Sequence, residues 1–501
     1  MGMKPIGTVT KYYPLVDDET RTALDSLIHE SENFYDFLVQ LGETVCSEEA
    51  PLSLSFLAAY WSWRGEVAET EDRIVERYKD TPIIRPWTFP RVNNLVEAQF
   101  QPEMVKALDY AISSEPEDWI LMHLHFRKMS VQAGIPEAME SYEAAKKIVD
   151  DTPKLECFRA DILYREGHIR DREGDARSAM ELYQDALERA REQDDPWLVG
   201  NIQLSIGKRI ALTDFQKGME LVDDAYRISR NLAIPVLVKG PLDSMASISH
   251  NLGEYDLALK SIFEAAEPIT SPKFPRGHFP LDISMIYSDI GDGNEALNWA
   301  SMYDYPEGKG GPSGLSVHGC PDTTFARALL LLNRTSEASK HIDSLKEKAL
   351  KSGWEPWLAD FYLVSGQYEI AVGEIANGME LIQHALEIYE RLDRQTSTNR
   401  ALIALTKAEI LGYKQDVSIP DPRDSGPWMT RLEKEATEKR LTGILMQLAM
   451  LKAEFRMKLK QVDAARDTLE SALAISDQPS VKTLREQILS QLKELARVSP
   501  S

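Results

Sequence analysis

Nine histidines, three cysteines and one glycine-rich segment are the residues of this sequence best equipped for chemistry, and their spacing decides what they can do. His123 and His125 stand two apart. On a helix that spacing sends the two rings to different faces, so they cannot form the i, i+4 ligand pair of a helical metal site. His29, His168, His250, His278, His318, His341 and His384 are isolated along the chain. Residues 303–321 carry Gly308, Gly310, Gly311, Gly314 and Gly319, which invites a phosphate cradle. No G-x-x-x-x-G-K-[ST] is present, and Lys309 lies before most of those glycines, so the segment is expected to be a loop on one face. His318 and Cys320 have no further ligand at a metal-site spacing. Cys46, Cys157 and Cys320 are far apart and odd in number, which gives no disulfide framework and fits a reducing compartment. Asp243 and Asp282 could act as acid and base only if helices closed into a toroid and brought them together; such residues more often cap helices. The sequence therefore nominates no catalytic residue, no cofactor site and no metal site.

What the sequence does specify is a rhythm. The stretch AMELYQDALERA from Ala179 to Ala190 is echoed by GMELVDDAYRIS from Gly218 and by GMELIQHALEIY from Gly378, and one period of about 40 accounts for all three. A small residue recurs at Ala138, Ala179, Gly218, Ala258, Ala296, Ala338 and Gly378. Four residues later stand Tyr142, Tyr183, Val222, Ile262, Ala300, Ile342 and Ile382, and seven later Ala145, Ala186, Ala225, Ala265, Tyr303, Leu345 and Ala385. Positions i, i+4 and i+7 share one helix face, and small side chains on that face let a second helix approach closely.

Punctuation keeps the same register. Gly174, Gly253, Gly291, Asn333 and Gly373 stand five residues before the small column, with Gly134 one place off, and all are residue types that tolerate left-handed backbone. Pro116, Pro153, Pro196, Pro235, Pro280, Pro321 and Pro356 mark the other boundary, where proline suits a first helical turn. Each unit reads as proline, helix A, short turn, helix B.

These residues resemble the tetratricopeptide repeat. The match is carried by Ala179 and Tyr183, Ala186 after them, the helix-A glycines Gly167 and Gly207, and the junction prolines, over roughly 116–473. The period is nearer 40 than 34, and Arg170 and Ile210 stand where a helix-A tyrosine is usual, which is similar to the extended repeats of kinesin light chain and of bacterial sensor arrays. The resemblance implies an all-α solenoid of stacked antiparallel hairpins, a superhelix whose helix-A faces form a groove. In that register the groove positions are His123, Arg127, Tyr164, His168, Asp171, Asp243, Ser247, His250 and Arg327. The Lys, Asn and Arg clamp of repeats that hold acidic chaperone tails is missing, so the resemblance points away from chaperone C-terminal tails. Asp beside Arg suits a peptide or helix of basic or mixed charge.

Residues 1–115 stand outside the register. An extended lead, a helix capped by Asp17 or Asp18, and helices over 51–64 and 66–78 read as a helical leader that caps the array, with Tyr60, Trp61, Trp63 and Trp87 sealing its end. The array is expected over 116–400 and divergent repeats over 401–479, with helix A at 401–411, a polar break at 416–427 and helix B at 428–440. A capping helix follows at 480–501, with Val481, Leu484, Ile488, Leu492 and Leu495 on one face.

Eighty acidic against 57 basic residues give a formal net charge of −23, which argues against nucleic acid and anionic membrane surfaces as partners. Residues 431–460 run the other way, with eight Lys or Arg and four Glu. No run approaches the ~18 apolar residues of a spanning helix, and residues 1–17 lack the apolar core of a signal peptide, so a cytoplasmic location is expected. The favoured reading is a non-enzymatic scaffold or adaptor that binds a protein or peptide. A sensor part of a signalling or transcriptional system, and an all-helical toroid enzyme, are the alternatives.

Overall fold

The computed structural model describes residues 6–498 except 48, 66, 90, 93–94, 97–100, 115, 132–134, 174, 212–213, 267–278, 304–319, 353–354, 393, 413–425 and 476. The described residues form helices almost throughout: α1 Ile6–Thr10, α2 Asp18–Glu30, α3 Phe34–Ser47, α4 Leu52–Gly65, α5 Ala68–Tyr78, α6 Gln101–Ser113, α7 Asp118–Val131, α8 Ile135–Asp151, α9 Arg159–Glu173, α10 Ala176–Glu192, α11 Pro196–Ile210, α12 Phe215–Leu232 and α13 Pro235–Leu252. After these come α14 Tyr255–Ala266, α15 Phe279–Ile290, α16 Gly293–Ser301, α17 Pro321–Leu331, α18 Thr335–Ser352, α19 Glu355–Ala371, α20 Ile375–Arg391, α21 Gln395–Gly412, α22 Pro427–Glu438, α23 Thr442–Lys458, α24 Val462–Ile475 and α25 Lys482–Val498. One two-residue strand pair, Arg91–Val92 with Leu95–Val96, is antiparallel. The described residues divide into two compact units, with the boundary inside α13 between Met245 and Ala246.

Hairpins follow from the columns. Ala138, Ala179, Ala258, Ala296 and Ala338 are fully buried, as are Ala145, Ala186, Ala225, Ala265, Leu345 and Ala385 seven residues on. A second small column, unremarked in the sequence beyond Gly167 and Gly207, sits opposite on helix A. A Cβ added to Gly366 would lie 2.6 Å from the Gly378 carbonyl oxygen, and one added to Gly378 would lie 2.6 Å from that of Gly366. Gly167 meets the Tyr183 ring in the same way. Where the helix-A position is Ser284, its hydroxyl donates to the Ala296 carbonyl at 2.5 Å. Helix A and helix B touch backbone to backbone.

The punctuation has its expected geometry. Gly253, Gly291, Asn333 and Gly373 all take positive φ, between 56 and 101°. Pro196 and Pro321 stand at the start of α11 and α17, and Pro153 opens a 3-10 turn leading into α9. Pro116 instead lies just ahead of α7. Gly134, Gly174 and most of the 303–321 loop, together with His278 and His318, lie outside the described residues, as does most of the 416–427 break.

In the first unit, α7/α8, α9/α10 and α11/α12 are hairpins, and α2–α5 join one aromatic core around Trp61, Phe34, Phe37 and Phe56. The lead is not extended, as the sequence suggested: residues 6–10 form α1 and turns follow. The reason is docking. Lys11 pairs with Asp195 at 2.8 Å and Asp161 at 3.2 Å, Thr8 donates to Asp195 at 2.6 Å, and Asp195 also caps α11 through the Leu198 N–H. Burial works against the Asp195 charge, but Lys11 outweighs it and holds the carboxyl below its usual range. Of the two candidate caps of α2, Asp17 accepts from the Thr20 N–H.

In the second unit, hairpins α15/α16, α17/α18, α19/α20, α21/α22 and α23/α24 follow one another, and the last helix returns to the first. Asp256 of α14 caps α25, accepting from the Thr483 N–H at 2.9 Å and hydroxyl at 2.6 Å. Gln487 of α25 donates to the Ile290 carbonyl at 3.0 Å. At the same seam a Cβ on Gly443 would fall 2.0 Å from the Gly253 carbonyl oxygen, so only two glycines permit the approach. Within this unit the array closes on itself.

Gly366→Ala should lower stability by about 1–3 kcal/mol, because the steric cost of overpacking exceeds the ~1 kcal/mol that alanine gains in helix propensity. Gly412→Ala, where the nearest atom is 3.5 Å away, should be neutral or slightly stabilising. Thermal midpoints of the two variants check the contrast.

Candidate functional site

Closing the second unit leaves a cavity of about 1000 Å³. Its wall is built by one polar side chain from each successive inner helix: His250 of α13, Asp289 of α15, Arg327 of α17, Gln367 of α19, Lys407 of α21, Gln447 of α23 and Gln487 of α25. The steps between them are 39, 38, 40, 40, 40 and 40 residues, which is the repeat period itself. A column that recurs once per hairpin must point the same way from every inner helix, so the period lays these side chains round one lumen.

The deepest part is a charged cluster. Asp289 accepts from Arg327 at 2.6 Å, from Arg400 at 2.8 and 3.1 Å, and lies 2.7 Å from His250 Nε2, with all four side chains no more than 13% exposed. Burial alone would raise the Asp289 pKa; Arg400, then Arg327, and the His250 hydrogen bond outweigh it and hold the carboxyl well below the usual range. Burial pushes the His250 imidazole down, against the pull of Asp289. His250 Nε2 also lies 3.3 Å from Arg400 Nη2, so the ring nitrogen sits between a carboxylate and a guanidinium. The Asp289 carbonyl accepts from Gln447 at 2.8 Å, and Gln447 in turn accepts from the Tyr255 hydroxyl at 3.3 Å.

Towards the mouth the polar groups are open. Lys407, Glu454 and Glu494 are exposed to solvent within the cavity, and Asn333, Leu331 and Leu411 are exposed where the inner helices end. Among the described residues the side chains of Gln367, Lys407, Glu454, Gln491 and Glu494 make no hydrogen bond or ion pair. Crowding by the surrounding protein, and then Arg327, lower the Lys407 pKa. Between them the wall carries apolar side chains, among them Ile370, Ile403, Ile444, Met450 and Leu451, with Ser288, Thr396, Asn399 and Ser490 interspersed. The site is thus a cup whose floor is an internally hydrogen-bonded charge cluster and whose upper wall is polar and unsatisfied. It can bind a polar ligand but offers no carboxylate or imidazole free of its neighbours at the floor to move a proton.

Of the nine groove positions read from the sequence, the structure gathers His250 and Arg327 here. Ser247 is exposed on α13 outside the cavity lining. The other six belong to the first unit. His123 is 1% exposed, 4.5 Å from the Tyr60 ring and hydrogen-bonded to the Tyr12 hydroxyl at 3.1 Å, and burial followed by Lys11 holds its pKa well below the usual value. Arg127 is 3% exposed with its guanidinium 3.6 Å from the Trp63 ring centroid. Both are packing residues of the aromatic core. Tyr164 bonds Ser205 at 3.2 Å, His168 meets the Tyr183 hydroxyl at 3.2 Å, and Asp171 pairs with Arg209. Asp243 is half-buried on α13, near Lys208. Asp243 and Asp282, the pair that a toroid might join, fall in different units.

Asp289, Gln367, Lys407, Gln447 and Gln487 were not singled out from the sequence. The signal was there: the period run forward from His250 lands on each in turn. Arg400 was invisible, because it stands two helical turns before the Lys407 column and reaches Asp289 only through the fold. Among the described residues no group of His, Cys, Asp and Glu could hold a metal ion.

Asp289→Asn removes the hydrogen-bonded counter-charge of two buried guanidiniums and should destabilise the second unit by about 3–5 kcal/mol, read by urea unfolding. The folded pKa of His250 lies below its unfolded value of about 6.5, so the unfolded chain takes up the proton first and stability falls as pH drops below that value. The thermal midpoint should therefore be lower at pH 5.5 than at pH 7.5, and His250→Gln should flatten part of the slope, leaving the shares due to His123 and His125. Asp289, whose folded pKa is depressed, contributes only to a loss at much lower pH.

No family model matches the chain, and no curated protein matches it. Solved structures similar to it include a Rap protein complexed with competence and sporulation factor, at 13% identity over 68% of this chain and 98% of that one, with a TM-score of 0.41. Yeast Tom70 is similar at 11% identity over 85% and 96%, with a TM-score of 0.33. A signal-transduction ATPase with a tetratricopeptide-repeat sensor from Pyrococcus horikoshii is similar at 12% identity over 96% and 66%, with a TM-score of 0.35. Likenesses this weak lend the chain no function. Antiparallel helix pairs on a period near 40, joined through small residues and turned at positive-φ positions, make this an all-α array of tetratricopeptide-like hairpins in its fold.

Proposed function

We propose that the chain is a non-enzymatic interaction protein that holds a peptide or protein segment in the cavity of its second unit. The observation that carries this is the ladder from His250 to Gln487. A primary amide has one donor and one acceptor face, like the peptide bond, and Gln367 and Gln491 present theirs to the lumen unpaired. The apolar wall between them suits the side chains of a bound segment. Lys407 opposite Glu454 and Glu494 fits a partner of mixed charge, in line with the sequence reading, whereas a purely acidic chaperone tail would meet two carboxylates. The net charge of −23 disfavours nucleic acid and anionic membranes, and among the described residues no helix is long and apolar enough to cross a membrane. A cytoplasmic site of action is part of this proposal, supported by the three free cysteines.

A non-enzymatic role accords with the floor, where Asp289 is committed to two arginines and a histidine. The sensor reading is favoured by one feature, the closure of the second unit, which makes a cup rather than an open groove. Residues 1–115 are read as a cap of the array, and the candidate positions Tyr164, His168, Asp171, Asp243 and Ser247 as secondary contacts.

Gln367→Trp should obstruct the lumen and abolish retention of the partner from a synthetic peptide array, while Glu387→Trp on the exposed face of α20 should not. Equal retention by both variants would remove the cavity from the function.

A further inference from the structure

Two arginines of the first unit carry more positive charge than the fold around them uses. Arg64 stands in the last turn of α4, within the leader, and Arg165 in the middle of α9. Each guanidinium lies over an aromatic ring: Arg64 is 4.7 Å from the Trp197 centroid, and Arg165 is 4.0 Å from that of Phe126. A ring face attracts the cation without accepting its N–H groups in conventional hydrogen bonds, so the donors stay available. Arg64 gives one of them to the Tyr60 hydroxyl at 2.6 Å. Arg165 makes no hydrogen bond or ion pair among the described residues. Both residues are half-buried, and none of their nitrogens is sealed from solvent without a partner.

The carboxylates nearby are already taken. Asp161 stands one turn before Arg165 on α9, yet it pairs with Lys11 at 3.2 Å, and Asp195 pairs with the same lysine at 2.8 Å. Lys11, Arg64 and Arg165 thus share two carboxylates. Burial pushes the Arg165 guanidinium down, and the charge of Arg64 adds to the push, against the pull of Tyr60 and Asp161. The two cations are therefore close enough to repel. Like charges gathered in a half-buried place cost stability until an anion joins them. Packing accounts for one arginine on a ring, but not for a pair with a surplus charge in a chain whose net charge is −23.

We propose that Arg64 and Arg165 form a binding site for the phosphate monoester group of a small molecule. A carboxylate offers two oxygens and one charge. A phosphate monoester offers three terminal oxygens and a charge of about −1.5 to −2 at neutral pH, so it can accept from both guanidinium forks and offset both charges. One arginine comes from a repeat helix and the other from the leader, so the site depends on the docking of α4. It lies in the first unit and shares no residue with the cavity of the second, so it goes beyond the function proposed above and does not depend on it.

The test is titration calorimetry of the full chain with phenyl phosphate, inorganic phosphate, acetate and a phosphorylated pentapeptide, all at one ionic strength. Phenyl phosphate should bind at least as tightly as inorganic phosphate, and acetate should give no heat of binding. Arg165→Gln should weaken phenyl phosphate about tenfold or more without lowering the thermal midpoint of the ligand-free protein. Arg165→Lys, which keeps the charge and loses the fork, replaces it if the midpoint falls, and should weaken binding in the same direction. Lys407→Gln, in the second unit, should leave binding unchanged. Equal affinity of the wild type and both Arg165 variants, or loss with Lys407→Gln instead, would overturn the site. Absence of binding by phenyl phosphate would do the same. Acetate binding as tightly as phosphate would overturn the phosphate class, and binding confined to inorganic phosphate or to the phosphopeptide would overturn the small-molecule ester. None of these results touches retention of a segment by the second unit, which Gln367→Trp reads separately.

Discussion

Two helices of a hairpin can approach this closely only where the side chains between them are absent or very small, and the rest of this protein depends on that contact. Gly366 against Gly378, Gly207 against Gly218 and Ser284 against the Ala296 carbonyl are the same approach in different repeats. It fixes the distance between helix A and helix B, and therefore the rotation from one hairpin to the next. A fixed rotation repeated along the chain brings the end of the second unit back to its beginning. The seam then needs no large interface. One aspartate capping a helix, two glutamine–carbonyl hydrogen bonds and a glycine pair close it.

Closure changes what polar residues at the inner surface must do. A charge on an open concave face is solvated and makes few demands. At the floor of the cup, Asp289 would be costly to bury alone, and the two arginines and a histidine that surround it convert a liability into a rigid base. Nearer the mouth the same period delivers Gln367 and Lys407 with no partner. The contrast between a satisfied floor and an unsatisfied wall is the feature on which the proposed ligand role of the cavity rests.

The first unit uses charge differently. Asp195 caps α11, receives Thr8 and pairs with Lys11, so one carboxylate fastens the start of the chain to a hairpin almost two hundred residues away. Around it, His123 and Arg127 are stacked among aromatic rings. They occupy the helix-A register of groove residues, yet the N-terminal helices cover that face. Register alone predicts which way a side chain points, not what has been laid over it.

The helical hairpins, their turns and their small columns were legible in the sequence because each is a local requirement: positive φ at Gly291 and Gly373, proline in a first turn, and alanine where a neighbouring helix must come close. The ladder from His250 to Gln487 was also written there, since a column of constant period keeps one direction. Three things were settled only by tertiary structure. The sum of many small rotations decided that the second unit closes, and no single residue encodes a sum. Arg400 joins Asp289 across 111 residues from outside the column, through the length of its side chain. The leader covers His123 and Arg127 because Lys11 finds Asp161 and Asp195, a pairing that depends on where two distant segments meet and not on any spacing along the chain.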